Sequence, residues 1–182
     1  RLENGDVEGH DDLEVLTTSR NSIRHHFTTM NATSAATAFA AYFLAKLRDS
    51  YPSAWVETLR ALMIHSASWS EEMIAQFQID TNKVGDVLKL LKIVGYGIPN
   101  LQKAIECKSN YLTFISEQII KPYKLDDGEI KTNEIHYYEF PWPKEILESL
   151  GETNVTLRVT LSYFIEPNPG DRGYTTKYAY QS

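Results

Sequence analysis

Residues 28–47 read Thr-Thr-Met-Asn-Ala-Thr-Ser-Ala-Ala-Thr-Ala-Phe-Ala-Ala-Tyr-Phe-Leu-Ala-Lys-Leu, a polar stretch that turns into an alanine-rich run. Nothing from Ala35 to Leu47 breaks a helix, so this run predicts one. The small side chains of Ala36, Ala40 and Ala41 would let neighbouring backbones come close, which predicts a buried central helix. Ser34 lies where that helix is expected to begin, and its role is the main question that the sequence raises.

The composition is that of a soluble globular protein, with 42% hydrophobic and 23% charged residues among 182. No run approaches the ~20 apolar residues that a membrane-spanning helix requires, so we expect no membrane association. The net charge of -6 argues against nucleic acid binding, because that binding depends on clustered Lys and Arg. Cys107 is the single cysteine, so no internal disulfide can form, and a reducing compartment fits.

Further helices are predicted after the alanine-rich one. Apolar residues recur at helical spacing from Trp55 to Met63, and Ser53 is placed to cap that helix. A third helix, from Val84 to Ile93, is expected to end at Gly95, because glycine tolerates the left-handed backbone that closes a helix. A short helix over residues 101–106 follows. The first two thirds of the chain therefore read as mainly helical.

Strand patterns dominate after about residue 110. Residues 111–120 and 134–140 are strand candidates, and Asp127-Gly128 is a tight turn signal between them. From Val155 to Tyr163 the odd-numbered residues are apolar and the even-numbered ones polar. That alternation predicts a half-buried strand with its odd-numbered side chains inward. One or two helical turns are expected over residues 143–150.

Helices followed by strands indicate two units. We predict a helical unit over residues 1–109, opened by a short strand over residues 13–18, and a β-sandwich-like unit over residues 110–182. The chain begins without methionine and stops in an aromatic run, Tyr174 to Tyr180. We therefore expect a piece of a longer protein, with the second unit incomplete.

Two roles are open for Ser34. A Thr33 or Ser34 side chain can accept hydrogen bonds from the unpaired N–H groups of the first helical turn, which is worth about 1 kcal/mol. A hydroxyl in the same place also lies beside amides and the positive end of the helix dipole, where an oxyanion would be stabilised during acyl transfer. A base must then remove the serine proton. The residues alone leave both roles open.

The eight residues from position 31, Asn-Ala-Thr-Ser-Ala-Ala-Thr-Ala, resemble the nucleophile motif of the subtilisin-like serine proteases, or subtilases. That motif is Gly-Thr-Ser-x-Ala-x-Pro, running into a buried helix. Thr33, Ser34 and Ala36 match it. Ala32 replaces the motif glycine and Ala38 replaces the motif proline.

Three further segments are similar to subtilase sequences and follow the family's order. They resemble the next helix, the Gly-x-Gly segment that closes the catalytic domain, and a strand and turn of the β-sandwich that often follows it: residues 57–67, 95–104 and 157–170. The resemblance covers about residues 13–182. It is closest to large bacterial subtilases of intracellular type, which implies a cytoplasmic location.

The resemblance implies an α/β protein, the C-terminal portion of a subtilisin-like fold followed by a partial antiparallel β-sandwich. It implies a serine endopeptidase that cleaves a polypeptide substrate through an acyl-enzyme, without cofactor or metal. Ser34 would be the catalytic nucleophile, and Thr33 would have a supporting role in substrate binding. The family's Asp, its His in His-Gly-Thr-His and its oxyanion Asn precede the serine, so we expect them upstream of Arg1 and expect the 182-residue chain to be inactive alone.

Other arrangements compete with this interpretation. His25 or His26 with Asp11 or Asp12 would make a local Ser-His-Asp set, which we disfavour because triads are defined by spatial roles. His65, on an apolar helix, is expected to be a structural histidine. The second functional hypothesis is a non-catalytic protein-interaction module with an unidentified protein partner, in which Ser34 is only a helix cap.

Overall fold

The computed structural model describes residues 14–107 and 113–165 of the chain. Its elements are, in chain order, β1 Val15–Thr18, β2 Phe27–Met30, α1 Thr33–Ser50, α2 Val56–Ser66, α3 Glu71–Gln76, α4 Val84–Val94, α5 Leu101–Ile105, β3 Tyr123–Asp126, β4 Glu129–Thr132 and α6 Lys144–Ser149. The protein is thus a mixture of helix and strand, as the α/β prediction requires. No helix in the two described ranges is long and apolar enough to cross a bilayer.

The main core forms where α1, α2 and α5 meet. Its buried members are Phe43, Leu47, Leu59, Leu62, Ala104 and Cys107. Leu47 is fully buried at 0% exposure. The Tyr51 hydroxyl, just past the end of α1, donates a 2.6 Å hydrogen bond to the Ile105 carbonyl and so joins α1 to α5. Cys107 contributes to this core as a small buried side chain.

The prediction that α1 is a buried central helix is wrong for the described structure. Only Phe43 and Leu47 of α1 are buried, while Ala36 and Ala41 are exposed and Ala40 is half-buried. The helix forms over this length because alanine has the highest intrinsic helix propensity and needs no packing on every side. One face of α1 packs on α2 and α5, and no described residue covers the small-residue face.

The connection from α2 to α5 is tightly packed. Ser66, at the end of α2, is 2% exposed. Its hydroxyl donates to the Met63 carbonyl at 2.8 Å and accepts the Asn100 N–H at 3.1 Å. Ser68 and Ile98 form a two-residue antiparallel bridge beside this contact. The closing residue of α4 is Gly95 at φ +60°, as predicted.

Two antiparallel hairpins are the sheets of the described residues. β1 confirms the first predicted strand from Val15 onward, and it pairs with β2, which the sequence did not predict. The second hairpin joins β3 and β4. Its turn is Asp127-Gly128, as predicted, with φ of +53° and +80°. These values suit the tight hairpin turns that glycine and Asp favour.

The three strands predicted in the second half are wrong where the structure describes them. Residues 113–120, 134–140 and 155–163 belong to no ladder, and Tyr111 lies outside the described residues. Period-two sequence alternation is not sufficient for a strand, because a strand also needs a partner for its backbone groups. The β-sandwich therefore remains a prediction.

The segment from Arg158 to Tyr163, which we call the strap, packs on α2 with its polar side, whereas the sequence predicted that its apolar side would face inward. Its even-numbered polar side chains contact the helix, while Leu161 is 79% exposed. The last turn of α2 leaves carbonyl groups that need donors, and an arginine supplies them better than an aliphatic side chain can. The two faces predicted from the alternation exist, but the polar face is the one that contacts α2.

The start of α2 is also stabilised from a distance. Ser53 was predicted to cap this helix, but the N-cap residue is Trp55 and no local side chain caps it. Instead a Glu117 carboxylate oxygen accepts the Trp55 N–H at 2.7 Å and a hydrogen bond from the Thr58 hydroxyl. A carboxylate at the positive end of a helix is favourable, so Glu117 takes over the role expected of Ser53.

Candidate active site

Ser34 occupies the second residue of α1. The N-cap residue is Ala32, whose φ of -153° and ψ of 156° are those of extended backbone. The chain therefore leaves β2 through Asn31, bends at Ala32 and enters the first helical turn. Thr33 is the first helical residue and Ser34 the second.

The Ser34 side chain is exposed and does not cap the helix. The start of α1 has no side-chain capping hydrogen bond. The Ser34 hydroxyl donates to the Met30 sulfur at 3.7 Å, and a thioether sulfur is a weak acceptor. The Thr33 carbonyl accepts the Thr37 hydroxyl at 2.9 Å, a bond one turn into the helix. The interpretation of Thr33 or Ser34 as a helix cap is therefore wrong.

Two backbone donors at the serine have no partner among the described residues. The Ala32 carbonyl accepts the N–H of Ala35 at 3.0 Å and that of Ala36 at 3.4 Å. Within the part of the chain that the structure describes, the N–H groups of Thr33 and Ser34 have no acceptor. They point out of the positive end of an 18-residue helix, where a negative charge is stabilised.

Ala32 does not need to be glycine in this backbone. Its φ of -153° lies in the extended region that any residue adopts. Only a left-handed torsion would have penalised alanine at the position of the motif glycine. The departure from the motif is thus compatible with the local geometry around Ser34.

The histidines that precede Ser34 are separated from it along the chain by β2. His25 and His26 lie in the turn between β1 and β2, where His26 accepts the Ser19 N–H through its carbonyl at 3.0 Å. The 4 residues of β2 then advance the chain by about 13 Å before it reaches Met30 and Ser34. The structure therefore does not bring these rings to the serine. Asp11 and Asp12 lie outside the described residues.

His65 is a satisfied histidine at the end of α2. Its Nδ1 lies 2.8 Å from the Thr160 hydroxyl of the strap. Partial burial, followed by the charges of Arg158 and Lys103, lowers the pKa of His65 below its ordinary 6.5. Both effects disfavour the imidazolium. This is the structural role that the sequence predicted, at a contact that the sequence could not show.

Two cavities occur elsewhere. One of about 340 Å³ is lined by residues 142–146, and one of about 240 Å³ lies between α2 and the strap. Ser34 lines neither of them. Among residues 14–107 and 113–165, no three His, Cys, Asp or Glu side chains are grouped so as to hold a metal ion.

Replacing Ser34 with alanine is expected to leave stability almost unchanged, within about 0.5 kcal/mol, because the exposed hydroxyl caps nothing. The matched control is Asn100→Ala. Asn100 Oδ1 accepts the Lys103 N–H at 2.8 Å and caps α5, so its loss should cost about 1 kcal/mol. Urea unfolding of both variants measures the difference. Equal losses of about 1 kcal/mol would restore the cap interpretation of Ser34.

Comparison with known proteins gives one match. The family model of the subtilases matches residues 4–97, which include β1, β2 and the helices from α1 to α4. No curated protein and no solved structure matches the chain. Ser34, the start of α1 and the Gly95–Gly97 segment all lie inside the matched range.

Proposed function

We propose that Ser34 is the nucleophile of a subtilisin-like endopeptidase, because the chain belongs to the subtilase family and this membership supports a serine-protease-type function. The proposal places residues 1–109 in the C-terminal part of the catalytic domain. It assigns a polypeptide substrate and requires no cofactor.

One observation carries the proposal. Ser34 is the exposed second residue of α1, and its own N–H, at the positive end of the helix, has no acceptor among residues 14–107 and 113–165. In the proposed reaction Ser34 Oγ attacks the scissile carbonyl, and this N–H donates to the oxyanion that forms. Such donors stabilise charge that develops only in the transition state, and losing one typically slows catalysis ~100-fold or more.

The remaining groups are proposed to come from sequence upstream of Arg1. An upstream His removes the Ser34 proton and later protonates the leaving amine, an upstream Asp orients that His, and an upstream Asn supplies the second oxyanion donor. Thr33 supports the turn on which the serine is presented to substrate. The intracellular bacterial subtype and a cytoplasmic location are part of the proposal, as is a β-sandwich built on residues 110–182.

The proposal is tested by labelling with a fluorophosphonate, which reacts with activated serines. The 182-residue chain should label no faster than its Ser34→Ala variant, because a serine without its base keeps its proton. The same chain, extended by its upstream sequence, should label rapidly at Ser34. Rapid labelling of the 182-residue chain would contradict the upstream assignment, and slow labelling of the extended chain would contradict the role of Ser34.

A second candidate function is a protein-interaction module, and the exposed side of the strap favours it. Leu157, just before the strap, and Val159 and Leu161 within it are 62%, 73% and 79% exposed. Contiguous exposed apolar surface is typical of interaction sites. The upstream sequence separates the candidates, because the Asp and His-Gly-Thr-His elements are required only by the protease.

A further inference from the structure

We propose that the strap is an acid-sensitive latch on α2, held while His65 is neutral and released when His65 takes up a proton. The latch joins the second half of the chain to the helical unit. It stands on contacts between α2 and residues 158–163, and it does not depend on the role of Ser34.

Hydrogen bonds from side chains hold the strap along α2. The Arg158 guanidinium donates to the carbonyl groups of His65 and Ala67 at 2.8 and 2.9 Å. Thr160 Oγ1 lies 2.8 Å from His65 Nδ1, and Arg60 Nε donates to Ser162 Oγ at 2.8 Å. These contacts bridge sequence separations of more than ninety residues. His65 lies at the centre of the latch, because both its ring and its carbonyl contact the strap.

The charged groups that act on the His65 ring are cationic. Arg158 approaches from the strap and Lys103 from α5. On α2 itself, Arg60 lies five residues before His65 and is bound to Ser162. A proton on the imidazole would therefore add a like charge beside two cations, in a half-buried position. Protonation opposes the docked arrangement for two reasons, repulsion and desolvation.

Linkage fixes the sign of the pH effect. The docked strap lowers the pKa of His65 by burying the ring and by bringing Arg158 close. Releasing the strap returns this pKa towards its ordinary value of 6.5. The docked state therefore binds fewer protons than the released state. Docking is fully favoured above pH 6.5 and weakens as the pH falls through the lowered pKa, by about tenfold for each pKa unit that separates the two states.

The test is an NMR titration of the 182-residue chain from pH 7.5 to pH 5. Methyl resonances of Thr160 and Leu161 report the strap, the ring resonance of His65 reports protonation, and methyl resonances of the buried Leu90 report global folding. We expect the Thr160 and Leu161 signals to shift towards released positions with the same midpoint as His65, while Leu90 stays native.

Two variants separate the latch from other acid effects. His65→Gln keeps a side chain that can bond Thr160 but does not titrate, so its strap signals should be independent of pH over this range. Arg158→Gln removes one cation, so the pKa of His65 should rise. The latch is wrong if the strap of His65→Gln responds to acid like that of the unchanged chain, or if the pKa of His65 is unmoved by Arg158→Gln.

Discussion

Replacing Ser34 with alanine in the extended chain that we propose to be the active protease is expected to abolish peptide hydrolysis, with kcat falling by roughly 10⁶-fold. Without the hydroxyl no acyl-enzyme can form, and only the residual effect of oxyanion donors and substrate binding remains. The measurement is initial-rate hydrolysis of a peptide substrate by this proposed extended chain. Stability should be unaffected, because the hydroxyl makes no strong contact in the described structure.

The matched control for this experiment is Thr37→Ala. It removes a hydroxyl from the same exposed helix one turn further on, where that hydroxyl donates to the Thr33 carbonyl. It should retain activity close to that of the unchanged protein, since Thr37 lies beyond the unpaired amides. Hydrolysis by the Ser34→Ala variant at a rate near that of Thr37→Ala would show that another residue is the nucleophile.

The largest expected loss of stability is at Gly97. A Cβ there would lie 2.2 Å from the Ser68 carbonyl oxygen, 2.5 Å from its carbon and 2.8 Å from the Trp69 nitrogen. The backbone also has a φ of +90°, which L side chains rarely adopt. The opposing atoms cannot move aside easily, because Ser68 and Ile98 are joined by hydrogen bonds of 2.9 and 3.1 Å. We expect Gly97→Ala to destabilise the fold by about 3–5 kcal/mol.

Chemical unfolding of Gly97→Ala beside Gly85→Ala measures this effect. Gly85 lies inside α4, and a Cβ there would meet nothing within 4 Å. Alanine at position 85 should therefore stabilise the protein by about 0.5–1 kcal/mol, through helix propensity alone. Similar unfolding midpoints for the two variants would mean that the Ser68–Ile98 bridge can move away from position 97 without loss of stability.

The helices other than α3 could be predicted because their signals are local, whereas the helix over Glu71–Gln76 was not predicted. The run from Ala35 to Leu47 contains only helix-compatible residues, and α1 extends it by two residues at the start and three at the end. Gly95 closes α4 and Asn100 caps α5, each through geometry that depends on a few neighbours in sequence. The turn at Asp127-Gly128 was predictable for the same reason.

Apart from β1, the strands could not be predicted, nor could the burial of α1, because both depend on distant partners. Residues 155–163 show a clear alternation, yet the side that contacts α2 is the one with Arg158 and Thr160. Sequence pattern defines two faces but does not say which surface each one meets. Likewise, the small side chain of Ala36 leaves room for a neighbouring backbone, but it does not determine whether one packs there.

The candidate site was predicted in part. The helix start at Ser34 followed from the residues, and the family assignment followed from the motif around it. The capping role was expected from residue type, but the chain places Ala32 at the N-cap and leaves both hydroxyls beyond it. A shift of one or two residues decides whether a serine side chain folds back on its helix or faces the solvent, and composition does not encode that shift.

Glu117 contacts the start of α2 and Arg158 contacts its end, and these two charges also set the direction in which the later half of the chain lies along the helix. Glu117 meets the helix where backbone N–H groups emerge, and Arg158 meets it where backbone carbonyls emerge. If the polypeptide ran the other way along this helix, each side chain would face a pole of its own sign. The dipole of α2 therefore favours the observed direction of the later half of the chain along this helix over the reverse direction.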